Sequence, residues 1–403
     1  MLLATLLFTT KVFVALNGVN ALNTSIAKTG EVIVTKKYNS LDRATAKAKI
    51  KQIVVAETLI PTPSPAPNPA PATNSTPAPE PTAAIPSLPI GQTGLRPIVD
   101  ISKNITPAEG YNDLRIRPTN EQPRATLNSA FRISCLVSHM SNDDPMVYPG
   151  QEGASHHHTF YGNTEVRFDT DLSQLSTTGN STCDGGIMNR SAYWHPTIIN
   201  TLTNAPVIPD QGAIFYYKVG HPSFGGKIKP PPIGLRILAG NSKATSFGQS
   251  QASKYVCINI AKQHSNGMKW QSTIPNCGTE SFMQQVVLFP QCWDGKNLDS
   301  PNHQDHMAYP SRSGICPATH PVPIPEISLN LNYKVHAGSP MNKWRLASDN
   351  YTFNGRNAGY SGHADWVNGW DEKELEGFVK NCLNSRKDCH AHLLGDGRMF
   401  YRD

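Results

Sequence analysis

Eight cysteines constrain this chain more than any other feature: Cys135, Cys183, Cys257, Cys277, Cys292, Cys316, Cys382 and Cys389. They are even in number and none precedes residue 135, the pattern of a domain cross-linked in an oxidising compartment. The amino terminus, MLLATLLFTTKVFVALNGVNALN, carries the apolar run of a signal peptide, with small residues for cleavage at Val19-Asn20-Ala21. It has no basic residue ahead of that run and Lys11 lies within it, which suits a membrane anchor equally well. Residues 1–22 are therefore expected to be a signal peptide or anchor, and the chain secreted or held at the cell surface. No CxxC pair occurs, which argues against a structural zinc site made of cysteine. Each neighbouring pair of cysteines brackets a loop-rich stretch. The expected disulfides are Cys135–Cys183, Cys257–Cys277, Cys292–Cys316 and Cys382–Cys389.

The rest of the organisation follows from composition. Residues 23–60 form a basic arm. The first sixty residues hold eight Lys or Arg against Glu31, Asp42 and Glu57, leaving only +1 of the chain's net +6 for everything after them. That near-neutral remainder offers no electrostatic footprint for nucleic acid. The arm itself combines a β-like run, Glu31–Val34, with a stretch from Ala44 to Ile53 rich in the helix formers alanine and lysine. From Pro61 to Pro81, nine of twenty-one residues are proline. Proline fixes φ and lacks an amide donor, so residues 61–95 read as an extended linker, the proline-rich core reaching about 65 Å at about 3.1 Å per residue. All six tryptophans lie beyond residue 190, so the packed domain is expected over residues 105–403.

Within that domain the pattern is mainly β: short β-branched and aromatic runs broken by Gly, Pro and Asn. Strands are expected over Phe131–Val137, Ala213–Val219, Leu235–Leu238, Tyr255–Ile260, Gln285–Phe289 and Ile327–Val335, arranged as a sandwich or jelly roll with long loops. One carboxy-terminal helix is expected, capped by Asp371 with Glu374 three residues on and burying Leu375, Phe378, Val379 and Cys382. Sequons at Asn23, Asn74, Asn104, Asn180, Asn189 and Asn350 would carry glycans in a eukaryotic secretory route.

Three histidine-rich segments carry the candidate chemistry. Asp143-Asp144 precedes Ser155-His156-His157-His158; Cys292-Trp293 leads to His303-Gln304-Asp305-His306; and Gly362-His363-Ala364-Asp365-Trp366 runs on to Trp370. In extended backbone His156 and His158 project to one side, because direction repeats every two residues. With His306 they would make a divalent-metal site; His363 and Asp365 extend the same set, or act with His158 as a general acid–base group. His156 and His306 are also candidates to bind ligand. Trp194, Trp293, Trp366 and Trp370 offer platforms for sugar rings. The competing expectation is that the histidines fix loops and the tryptophans fill the core.

Several segments, in order over residues 125–390, resemble a family of secreted fungal and bacterial proteins known as a domain of unknown function (number nineteen ninety-six). They are DDPMVYPGQEGASHHHTFYGN, YWHPTI, PPPIGLRILAG, CWDGKNLDSPNHQDHMAYP, CPATHPV and the SGHADWVNGWD run. The resemblance implies a secreted single domain and marks His139, Asp144, His156, His158, His303, His306, His320, His363 and Asp365. His157 departs from the family pattern. All eight cysteines fall at family positions. Together these readings give an expected action on extracellular polysaccharide or the cell wall, by a hydrolase or lyase pocket of His158, His363 and Asp365. The alternative is a non-catalytic carbohydrate-binding or cell-wall protein, and attachment to a membrane through the amino terminus is open in both.

Overall fold

The computed structural model describes residues 95–259 and 269–401, and three short strands nearer the amino terminus. The expected leader, most of the proline-rich linker and Asn74 lie outside the described residues. Residues 1–81 form a compact unit apart from residues 82–403. In the first unit, Val32–Lys36 pairs antiparallel with both Leu22–Ile26 and Lys47–Ile50. The run around Val32–Val34 is thus a strand. The alanine- and lysine-rich stretch also holds a strand, because pairing overrides a weak helix preference.

In the second unit the strands of the two large sheets are β1 (Arg124–Ala125), β2 (Ala130–Cys135), β3 (Val137–Ser141), β4 (His158–Gly162), β5 (Ala192–Pro196) and β6 (Ala213–Lys218). They continue as β7 (Arg236–Gly240), β8 (Ser253–Asn259), β9 (Ser281–Leu288), β10 (Glu326–Lys334), β11 (His363–Val367) and β12 (Lys387–His390). Seven of them form a sheet in the order β8-β9-β10-β6-β2-β12-β1, and five form a second in the order β7-β11-β5-β4-β3. The chain crosses from the first sheet to the second between Cys135 and Val137, where the Cys135–Cys183 disulfide and the Thr182 hydroxyl on the Leu136 carbonyl hold the bend.

The two sheets pack face to face as a sandwich. On β6 the residues alternate buried and half-exposed, so Phe215 and Tyr217 turn inward while Tyr216 and Lys218 face water. Phe215 stacks on Tyr193 of β5, with ring centroids 3.7 Å apart, and Tyr217 meets Trp366 of β11 edge-on at 6.5 Å. The hydroxyls of Tyr193 and Tyr217 share a hydrogen bond of 2.7 Å. The Trp370 indole N–H donates to Tyr217 and the Asn189 amide to Tyr193. Each buried phenol is thus satisfied while its ring fills the core. Asn189 is fully buried, so this sequon cannot take a glycan in the folded domain.

Helix α1 (Glu372–Phe378) starts where expected: the Asp371 carboxylate accepts from the Glu374 N–H at 3.0 Å, and Leu375 and Phe378 are buried. Phe378 stacks on Phe131 of β2 at 4.3 Å, tying the helix to the sandwich. All four disulfides join the neighbouring pairs expected from the sequence. No described helix is long and apolar enough to cross a membrane.

Candidate metal and catalytic centre

The outer face of the five-stranded sheet is where the histidines gather. Along β4, His158 and Phe160 point outward while Thr159 and Tyr161 point into the sandwich; along β11, His363, Asp365 and Val367 point outward beside inward Ala364 and Trp366. Register aligns these outward residues into rows. Leu238, Asp365, Trp194, Phe160 and His139 succeed one another across the sheet, and His363 stands opposite Gly240. Gly240 adopts φ +99°, and a Cβ there would lie 2.9 Å from the Cα of His363, so only glycine lets the two strands meet at this point.

Loops close over this face. Met146, Val166, Leu172 and Leu175 pack on Phe160, Trp194 and Val367, roofing the lower row with apolar side chains. His156, in the extended segment before β4, brings a third imidazole to His158 and His363. The His156 and His158 ring centroids are 4.3 Å apart, those of His156 and His363 5.0 Å, and the Nε2 atoms of His156 and His363 3.2 Å. His158, His363 and Asp365 are at most 2 % exposed, and His156 and Asp144 no more than 5 %.

Backbone carbonyls set the orientation of two rings. His158 Nδ1 donates to the Asp143 carbonyl at 2.8 Å and His363 Nδ1 to the Ser361 carbonyl at 2.8 Å. Each ring is thereby committed to the tautomer whose Nε2 bears a free lone pair, the usual arrangement behind a metal-ligating histidine. Burial, reinforced by the charges of neighbouring groups, holds the pKa of His156 and His158 well below the ordinary value. Burial and the Arg96 guanidinium bring His363 down to about 4. All three are neutral at pH 7, the form that binds metal.

Two sets of donors lie within 4.8 Å of one another: His156, His158 and His363; and Asp144, His158 and Asp365. His158 Nε2 and both carboxylate oxygens of Asp365 are buried with no hydrogen-bond partner among the described residues. Burial, together with the charge of Asp144, pushes the Asp365 carboxyl well up, and burial raises Asp144 to about 6. Asp144 also accepts from the Met146 and Val147 N–H groups. Two carboxylates cannot both stay ionised in such a site without a cation, since burial and mutual repulsion act in the same direction. A divalent ion would satisfy the orphaned nitrogen and oxygens together. Because His158 has only Nε2 to give, an ion held by either set would be bound through that nitrogen. Nitrogens 3.2 Å apart, each about 2.0–2.1 Å from a common ion, subtend roughly 100°, close to a tetrahedral angle. Imidazole with carboxylate suits zinc, iron, copper or nickel.

The other candidate residues are placed elsewhere. His306 is not a ligand of this cluster. Its Nε2 donates to the Arg236 carbonyl at 2.6 Å and its Nδ1 meets the Ser300 hydroxyl at 2.9 Å, so it pins the 299–306 loop to β7. His303 pairs with Asp299 at 2.9 Å, and His320 bonds the Asp305 carbonyl. His139 stacks on Phe160 at the sheet edge, and His157 turns away to the Thr197 hydroxyl. Trp194, Trp366 and Trp370 are fully buried and present no face to a sugar. Trp293 is half-buried, with its indole N–H on the Asn297 carbonyl. The sequence reading missed the closeness of Asp144 to Asp365 and the part played by Arg96, which belongs to none of the histidine segments.

The model of the family described as domain of unknown function (DUF1996) matches residues 144–370. The chain belongs to this family. The matched span begins at Asp144 itself and holds all five donors of the centre. Strands β2, β3 and β12 and helix α1 lie outside it, so the DUF1996 match covers the outer-face centre more fully than the sandwich that supports it. No curated protein and no solved structure matches the chain.

Proposed function

We propose that this is a secreted, metal-dependent enzyme that acts on extracellular polysaccharide or the cell wall, as a hydrolase or lyase. The observation that carries the reading is the convergence of His156, His158, His363, Asp144 and Asp365, with the His158 Nε2 and both Asp365 oxygens lacking a hydrogen-bond partner among the described residues. Stability does not explain such a cluster, because each orphaned polar atom costs about 1–3 kcal/mol where it is buried. Bound at His158, a divalent ion supplies Lewis acidity and lowers the pKa of its water. Asp365 and Asp144, held close to that ion, would move or hold the proton that glycosidic cleavage requires.

Four disulfides and a signal-like amino terminus support the extracellular setting, and the proline-rich linker suits a domain held out from a surface. The burial of Trp366 and Trp370 weighs against a binding module built on aromatic platforms. The test is metal analysis of the purified full chain together with a polysaccharide panel scored for released products. Stoichiometric metal, lost with activity in His158→Ala, is the expected result. Metal-free protein with no turnover on any polymer would overturn it.

A further inference from the structure

A second feature sits beside the histidine centre. Arg96 is anchored in place by the preceding residue, whose carbonyl accepts from Arg345 Nη1 at 3.2 Å. Its guanidinium is partly buried, and Nε has no hydrogen-bond partner among the described residues. Among the described residues no carboxylate pairs with it. The titratable groups near enough to feel its charge are His156, His363 and Tyr148, none of them a carboxylate. Arginine is the side chain that most rewards a planar, two-oxygen partner, and a partly buried one without any is an open valence.

Arg96 also lines a cleft of about 90 Å³ with Ser242, Lys243, Ala244, Thr245 and Asn350. This is about three waters' share of liquid volume, the scale of a small charged group rather than a whole sugar ring. Two of its walls are cationic, the others are hydroxyl, amide or methyl, and none is acidic. Lys243 is exposed and makes no ion pair among the described residues. A cation bound by the three histidines would add to the same positive field, and an anion would then be drawn between Arg96 and the ion.

We infer that the cleft of Arg96 and Lys243 binds an anionic group, a carboxylate or a sulfate ester, on the polymer that the histidine centre acts on. The inference rests on the polysaccharide reading above and narrows its substrate to acidic sugars. Arg96 and Lys243 are binding residues here, and the histidines keep their role.

Titrations of the full-length protein with three sets of oligosaccharides test it: uronate-containing, sulfated and uncharged. Tighter binding of one acidic set, weakened by salt, is expected, and which set binds distinguishes carboxylate from sulfate. Arg96→Gln with Lys243→Gln should weaken that binding tenfold or more, while metal content and melting temperature hold. Arg96→Lys, which keeps the charge and loses the fork, should fall between. Equal binding of uncharged oligosaccharides, or unchanged affinity in the double variant, would overturn the inference. Because metal content is measured on the same samples, loss of the metal reading registers separately from loss of the anion site.

Discussion

The seven-stranded sheet buries one face and wets the other, whereas the five-stranded sheet is covered on both. In β6 and β9 buried and half-exposed residues alternate; in β4, β5 and β11 every residue is buried. The inner face of the smaller sheet is filled by Tyr161, Tyr193, Ile237 and Trp366 and is closed in the way of any sandwich core. Its outer face is covered by loops yet carries His158, His363 and Asp365 under them. Successive residues of one strand thus serve opposite ends: Trp366 holds the sheets together, and Asp365 is a buried acid whose oxygens have no hydrogen-bond partner among the described residues. What the contrast teaches is that buried polar residues under a roof, on a sheet otherwise well packed, single out the face that carries the proposed site.

The sharpest way to break the contrast is to change those two neighbours. Trp366→Ala should lower stability by about 3–5 kcal/mol through lost packing and the cavity left behind. Asp365→Asn, measured in chelator, should leave stability within about 1 kcal/mol of the parent, because it removes a destabilising buried acid. The same change should abolish metal retention and turnover. Urea melts alongside metal analysis read both, and a large stability loss in Asp365→Asn would erase the distinction between the faces.

A second comparison sets the histidines of the centre against the one that stayed outside it. His158→Ala should reduce turnover by at least about a hundredfold, at a cost in chelator of about 1 kcal/mol from the Asp143 carbonyl that loses its one donor. His306→Ala should do the reverse, costing about 1–3 kcal/mol because the Arg236 carbonyl and Ser300 lose their partner. Equal loss of metal in both variants would return His306 to the ligand set. Metal itself gives the third test. A ligand bound only by the native state stabilises it by about 2.7 kcal/mol at a hundredfold excess over Kd, so chelation should lower the melting temperature of the parent but not of His158→Ala.

The two sheets also differ in how far they could be read beforehand. Expected strands overlap β2, β6, β8, β9 and β10 because their short β-branched and aromatic runs stand out between Gly, Pro and Asn. Of the five-stranded sheet only β7 was foreseen; β4 and β11 were read as histidine loops. The β4 run His158-Thr159-Phe160-Tyr161 carries no apolar alternation, and in both β4 and β11 every residue is buried, so burial writes no period of two there. The pairing of His156 with His158 was legible from spacing alone. The separation of His306 from them was not, because it depends on where the Arg236 carbonyl lies after folding.

The last comparison is one of pH, and it sets a histidine on each face side by side. His195, inward on β5, donates through Nδ1 to the Pro196 carbonyl and accepts at Nε2 from the Tyr161 hydroxyl. His139, outward on β3, lies between the Ser138 hydroxyl and Arg167. Both are satisfied as neutral rings. Burial lowers each to about 3, with the charge of Arg167 adding to the effect at His139. Between about pH 3 and pH 6.5 the unfolded chain therefore binds protons that the native state refuses, and stability falls as pH falls through that window. The slope is about 1.4 kcal/mol per pH unit for each such ring. Asp144, raised to about 6, works in the opposite sense: its contribution is fully present below about pH 3.8 and is lost as pH rises through 6. The parent's profile mixes these signs, so the comparison is made by difference. His195→Gln and His139→Gln should each flatten the acid limb relative to the parent, and the double variant should flatten it by the sum. An acid limb unchanged in both variants would mean that neither ring is held neutral by its face of the sheet.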